Sequence, residues 1–174
     1  DTLDLKREGY DRRAIQSTAA IAEGAVFFGS RDDGFYALDF ASGEQKWRSS
    51  HQTSWVVGSP AVRDGRAYVG SSDGHFIHAV EVTTGRELWR TPVGSNVLSS
   101  PVLTGELLVV GVANTNVGRG ELLALDASTG AVRWRLPFAD AVWSSPVVVG
   151  NQIYIGCDDG SVVAMEEVNP AIPR

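Results

Sequence analysis

Short apolar runs, each closed by a turn residue, set the rhythm of this chain. Four of them are rich in β-branched and aromatic residues: Ala25–Phe28, Ala67–Val69, Leu107–Val110 and Ile153–Ile155. Each is followed by a glycine: Gly29, Gly70, Gly111 and Gly156. Turn signals recur about every ten residues, the spacing of an all-β chain of short strands. No stretch sustains the apolar period of a helix.

The runs belong to a longer repeat. The string Ala-x-acid-x-x-(Ser/Thr)-Gly-x-x-x-Trp occurs three times: Ala37, Asp39, Ser42, Gly43, Trp47; Ala79, Glu81, Thr84, Gly85, Trp89; Ala124, Asp126, Thr129, Gly130, Trp134. A fourth copy begins at Ala164 and Glu166 and breaks at Asn169 and Pro170. Between the copies stand Ser59–Pro60, Ser100–Pro101 and Ser145–Pro146, each leading into an apolar run and a turn. Each unit therefore predicts four strands, A to D. A four-strand unit recurring every 40 to 45 residues predicts the blades of a β-propeller. The expected fold is all-β, one partial propeller domain over 1–174 made of antiparallel four-stranded blades. The blades are expected near 14–48, 55–90, 97–135 and 142–168. The alternating segment Leu3–Arg7 is a candidate closing strand. Four blades fit either a small closed ring or half of an eight-bladed ring.

Each repeated residue has a physical reason. Glycine at the Ser/Thr-Gly turn takes a positive φ without steric penalty. Asp39, Glu81 and Asp126 are placed to accept hydrogen bonds from turn amides. The alanine leaves room for a large neighbour. Trp47, Trp89 and Trp134 are expected to lock adjacent blades, since regular spacing is what packing demands.

Composition narrows the function. The chain has 174 residues, 43% of them hydrophobic, and a net charge of −6. That charge argues against nucleic acid as a partner. The apolar runs are too short to insert in a membrane as a helix. Cys157 is the single cysteine, so no intrachain disulfide forms. His75 and His78 alternate poorly for joint ligation, and no metal is expected. Asp32–Gly34, Asp73–Gly74 and Asp158–Gly160 read as hairpin turns, because they lack the terminal glutamate of a calcium loop. The hairpin between strands B and C is longest in the third unit, where Asn114, Asn116 and Arg119 offer polar groups. Trp55 and Trp143, near the starts of strands A, and His51, in a connection between blades, complete the expected binding set. An extra residue near His75–His78 predicts a bulge.

The repeated string resembles the tryptophan-docking motif of the quinoprotein (PQQ-repeat) propellers, over residues 14 to 168. That resemblance implies a β-propeller. Within the family, PQQ-dependent alcohol dehydrogenases use about eight blades, a calcium or similar ion and often a vicinal disulfide. BamB-like and kinase-associated branches are non-catalytic. A single cysteine rules out the vicinal disulfide, and no catalytic residue carries over by position. The resemblance therefore implies a non-catalytic, cofactor-free interaction scaffold for a protein partner, with a bacterial envelope address. A ligand-sensing domain of a larger regulator and a dehydrogenase fragment are the alternatives. A homodimer completing an eight-bladed ring is a further expectation.

Overall fold

A computed structural model describes residues 14–166 of the chain. Among these, strands are the only regular structure, and they form four antiparallel sheets. The first holds β1 (Ala20–Ala22), β2 (Ala25–Gly29), β3 (Gly34–Asp39) and β4 (Gln45–Ser50). The second holds β5 (Ala61–Arg63), β6 (Arg66–Ser71), β7 (Phe76–Glu81) and β8 (Glu87–Pro92). The third holds β9 (Val102–Thr104), β10 (Leu107–Asn114), β11 (Arg119–Asp126) and β12 (Val132–Phe138). The fourth has three strands, β13 (Val147–Val149), β14 (Gln152–Gly156) and β15 (Val162–Glu166). Strands lie in each sheet in chain order, the meander of a propeller blade. The segment 3–7 and the break at Asn169–Pro170 lie outside the described residues.

Sequence sets these elements directly. Pro60, Pro101 and Pro146 are buried just ahead of β5, β9 and β13, where a residue with no N–H loses no ladder bond. The Ala of the motif faces the Trp across the sheet: Ala37 opposite Trp47, Ala79 opposite Trp89, Ala124 opposite Trp134. Immediately after each pair the register shifts by a bulge in the last strand. The extra residue of the second unit is not a strand bulge, because β6 and β7 pair without a register shift from Arg66↔Glu81 to Ser71↔Phe76. It is absorbed in the turn, where His75 adopts φ 56°.

The core lies between sheets. Phe27, Phe35, Ala37 and Trp47 of the first blade bury against Ala67, Val69, Val80 and Val82 of the second. Tyr68, Ile77 and Trp89 meet Leu108, Val110, Leu123 and Leu125 of the third. Val109, Leu122 and Ala124 meet Ile153 and Ile155 of the fourth. Among the described residues no buried cluster joins the fourth blade to the first. The described residues thus form an open arc rather than a closed ring of four. Its outer faces show in the strands themselves: β10 is buried from Leu107 to Ala113, whereas β15 alternates exposed and half-buried.

Candidate interaction surfaces

The acidic residues of the repeat are held in their own turns. The Asp39 carboxylate accepts from the amides of Ala41 and Ser42 at 3.0 and 2.9 Å. Asp126 accepts from those of Ser128 and Thr129, both at 2.9 Å. The Ser128 hydroxyl and the Arg133 guanidinium hold the Asp126 carboxyl well below its ordinary range. Glu81, one methylene longer, is bonded instead by the Thr84 hydroxyl and Arg86. Gly43, Gly85 and Gly130 all sit at φ between 71° and 75°.

Two of the three tryptophans hydrogen-bond to the following blade. The Trp47 indole N–H donates to the Val82 carbonyl at 2.7 Å, and Trp89 donates to the Ala127 carbonyl at 3.1 Å. Each ring lies on the turn glycine of the next blade. A Cβ on Gly85 would stand 2.6 Å from Trp47, and one on Gly130 would stand 2.5 Å from Trp89. Gly43 has nothing within 4 Å, because no described blade precedes it. Trp134 packs on the third core cluster but stays half-buried, and its indole N–H finds no acceptor among the described residues. The repeat position matching Ala127 is Glu167, outside them.

The connections divide between two rims. Turn backbones pair across one rim, with Phe40 N–H on Gly24, Val82 N–H on Gly65 and Ala127 N–H on Glu106. On the other rim lie the hairpins between the second and third strands and the links between blades. There the Arg31 guanidinium covers Trp55 at 3.8 Å, and Trp143, 40% exposed, donates to Asp158 at 3.3 Å. The two indoles are not equivalent, since Trp55 stands five residues before Pro60 and Trp143 three before Pro146. In the longest hairpin, Asn114 caps the Asn116 amide at 3.2 Å, while Asn116 and Arg119 are exposed. Beside it lies an open cavity of about 210 Å³ lined by Asn114, Arg119, Glu121 and Phe138.

His51 is not available to a partner. It is 1% exposed, wedged between the first two blades, with its Nε2 3.0 Å from Nε2 of His78. Nδ1 of His78 lies 3.1 Å from the Glu87 carboxylate, which Arg90 also holds. An anionic Glu87 makes His78 Nδ1 the donor, so His78 Nε2 accepts and His51 Nε2 donates. His51 Nδ1 is buried and finds no partner among the described residues. Burial lowers the His51 pKa to about 2 and lowers that of His78. The His78 contact and Arg90 lower Glu87 to about 2. Spacing gave no reason to pair any two histidines, since His75 and His78 alternate poorly; the actual pair joins residues 27 apart and carries no local signal.

Exposed large hydrophobics gather at the two ends, with Phe40 and Val117 exposed to a similar degree in turns elsewhere. Ile15 and Ile21 are 59% and 65% exposed at the first blade. Its outer face also carries half-buried Val26, Phe28, Tyr36 and Leu38, with Phe28 stacked on Tyr36 at 5.2 Å. At the fourth blade Val147, Val149 and Val162 are 55%, 62% and 74% exposed. The far edge of β15 pairs with no described strand.

Stacked four-stranded meanders keyed by tryptophan define a β-propeller blade array. The chain belongs to the PQQ_2 family, whose model, described as outer membrane protein assembly factor BamB, matches residues 3–79 and 77–169. Quinohemoprotein alcohol dehydrogenase ADH-IIG of Pseudomonas putida is 29% identical over 87 residues, covering 44% of this chain and 12% of that protein. BamB from Moraxella catarrhalis superposes with a TM-score of 0.73 at 18% identity, over 89% of this chain and 50% of that one. The computationally designed Ika4 protein gives 0.76 at 19% identity, over 90% and 93%. These structural likenesses establish the fold. The chain spans half of that BamB and a small part of the curated dehydrogenase.

Proposed function

We propose that this chain is a non-catalytic propeller module that binds protein through its uncovered end faces and the open edge of β15. The observation that carries this reading is the apolar exposure at Ile15, Ile21, Val147, Val149 and Val162, which lies at the two ends of the arc. Exposed apolar faces and unpaired strand edges are association surfaces. Extended chain pairing with β15 would add a strand beside the three described ones by β-augmentation. A second copy of the chain is one partner that meets both ends at once. The family match to BamB supports a role in assembly rather than chemistry.

Quinone chemistry of the dehydrogenase kind needs a calcium-type ion beside the cofactor. The residues present do not fit that group. Asp39, Glu81 and Asp126 are engaged in their own turns, and among the described residues no three His, Cys, Asp or Glu side chains converge on one point. Incubation with PQQ and calcium, followed by desalting, tests the reading. No retained quinone absorbance and no alcohol-dependent dye reduction are expected. Retained chromophore with turnover overturns the reading in favour of the dehydrogenase-fragment alternative, to which the ADH-IIG similarity points.

A further inference from the structure

The three junctions between blades repeat three contacts, and the two ends of the arc carry one half of each. The first contact is a knob on a glycine. The Val56, Val97 and Val142 side chains sit where a Cβ on Gly29, Gly70 and Gly111 would stand, at 2.4, 2.1 and 2.8 Å. Gly156 holds the same place at the end of β14, but an added Cβ would meet only Ser144 of its own blade, at 3.4 Å. Each knob valine stands three residues before a serine: Ser59, Ser100 and Ser145. At the other end, Ile15 stands three residues before Thr18 and is 59% exposed. One end is a hole without a knob; the other is a β-branched knob without a hole.

The second contact is a belt of hydroxyls. Thr18 N–H donates to the Ser59 hydroxyl at 2.7 Å, Ser59 N–H to Ser100 at 2.8 Å, and Ser100 N–H to Ser145 at 2.8 Å. Among the described residues the Ser145 N–H finds no acceptor and the Thr18 hydroxyl no donor. The third contact is sheet on sheet. Residues in the places of Val26 and Phe28 (Ala67, Val69; Leu108, Val110) pack against the preceding blade, and those in the places of Tyr154 (Phe27, Tyr68, Val109) against the following one.

We propose that a second copy of this chain supplies the missing halves, closing a two-copy ring of eight blades. Ile15 of each copy seats on Gly156 of the other, and the Ser145 N–H of each donates to the Thr18 hydroxyl of the other. The two junctions are related by a two-fold axis, so the contact closes instead of propagating. This assembly rests on the reading of the chain as an interaction module.

Native mass spectrometry and multi-angle light scattering of the whole chain at micromolar concentration test it. The expected mass is twice that of the chain. Ile15→Asp and Gly156→Arg are each expected to yield monomer, with unchanged strand circular dichroism. Mixing these two variants is expected to restore a dimer, because the mixed pair has one native junction and one Asp–Arg junction. Ile15→Ala removes only exposed methyl groups and is expected to weaken the dimer about tenfold or more. A monomeric or open-ended polymeric wild-type chain overturns the ring, as do single variants that stay dimeric or a mixture that stays monomeric. A monomer that takes up no PQQ sinks the ring alone. Quinone uptake with turnover sinks the module reading whatever the mass.

Discussion

The inner and outer blades carry the same motif and differ in what covers it. Ala124 of the third blade is fully buried beneath Trp134 and the fourth blade, while Ala164, its counterpart in β15, is exposed. Gly85 and Gly130 each lie under an indole, while Gly43 meets nothing within 4 Å. In a stack of repeats each unit contacts only its neighbours, so burial is a property of position along the array rather than of a unit's own sequence. Identical substitutions in inner and outer copies should therefore differ, and the difference measures what a neighbour contributes.

The tryptophans give the widest separation. Trp89→Ala removes a buried ring and a 3.1 Å hydrogen bond, and is expected to destabilise by about 3–5 kcal/mol. Trp134→Ala removes a half-buried ring whose N–H has no described acceptor, and about 1–2 kcal/mol is expected. Equal losses in urea titrations would erase the distinction between inner and outer blades. The glycines come next. Gly43→Ala meets only the strain of a positive φ, about 1 kcal/mol. Gly130→Ala adds a methyl 2.5 Å from Trp89, so it should cost about 2–4 kcal/mol, and matching values would refute the stacking of indole on glycine.

Acid sharpens the comparison at the junction of the first two blades. Native His51 stays neutral to about pH 2, whereas an unfolded histidine takes up a proton below about 6.5. The unfolded state then binds more protons, so stability is full above pH 6.5 and falls as pH drops from 6.5 toward 2. The slope is at most about 1.4 kcal/mol per pH unit for each histidine. Depression of Glu87 adds loss of the same sign below its ordinary range. Replacing His51 by Phe should flatten the curve by one proton; an unchanged slope would show that the pair is not the acid-sensitive element. The smallest effect belongs to the exposed hairpin, where Asn116→Ala should shift stability by less than about 0.5 kcal/mol.

The blades were legible in the sequence because each strand has a short-range signal. Alternation, a proline ahead of strand A and a positive-φ glycine are all read within a dozen residues. The bulge after each Ala–Trp pair left no such mark, since one inserted residue among polar neighbours looks like ordinary spacing. The histidine pair was illegible for a different reason. His51 and His78 lie on different blades and meet only when these stack. The same limit explains Trp55 and Trp143, alike as residue types yet two places apart in the repeat frame. It explains Trp134 too, whose motif is complete while only three strands of the blade it would grip lie among the described residues.

The belt from Thr18 to Ser145 gives the arc a polarity, since every link runs from an amide on one blade to an oxygen on the next. Like the ends of a filament, its two termini are chemically opposite, one offering a proton and the other a lone pair. Back-to-back docking of the Ser145 ends would set one N–H against another, so the belt extends by joining unlike ends.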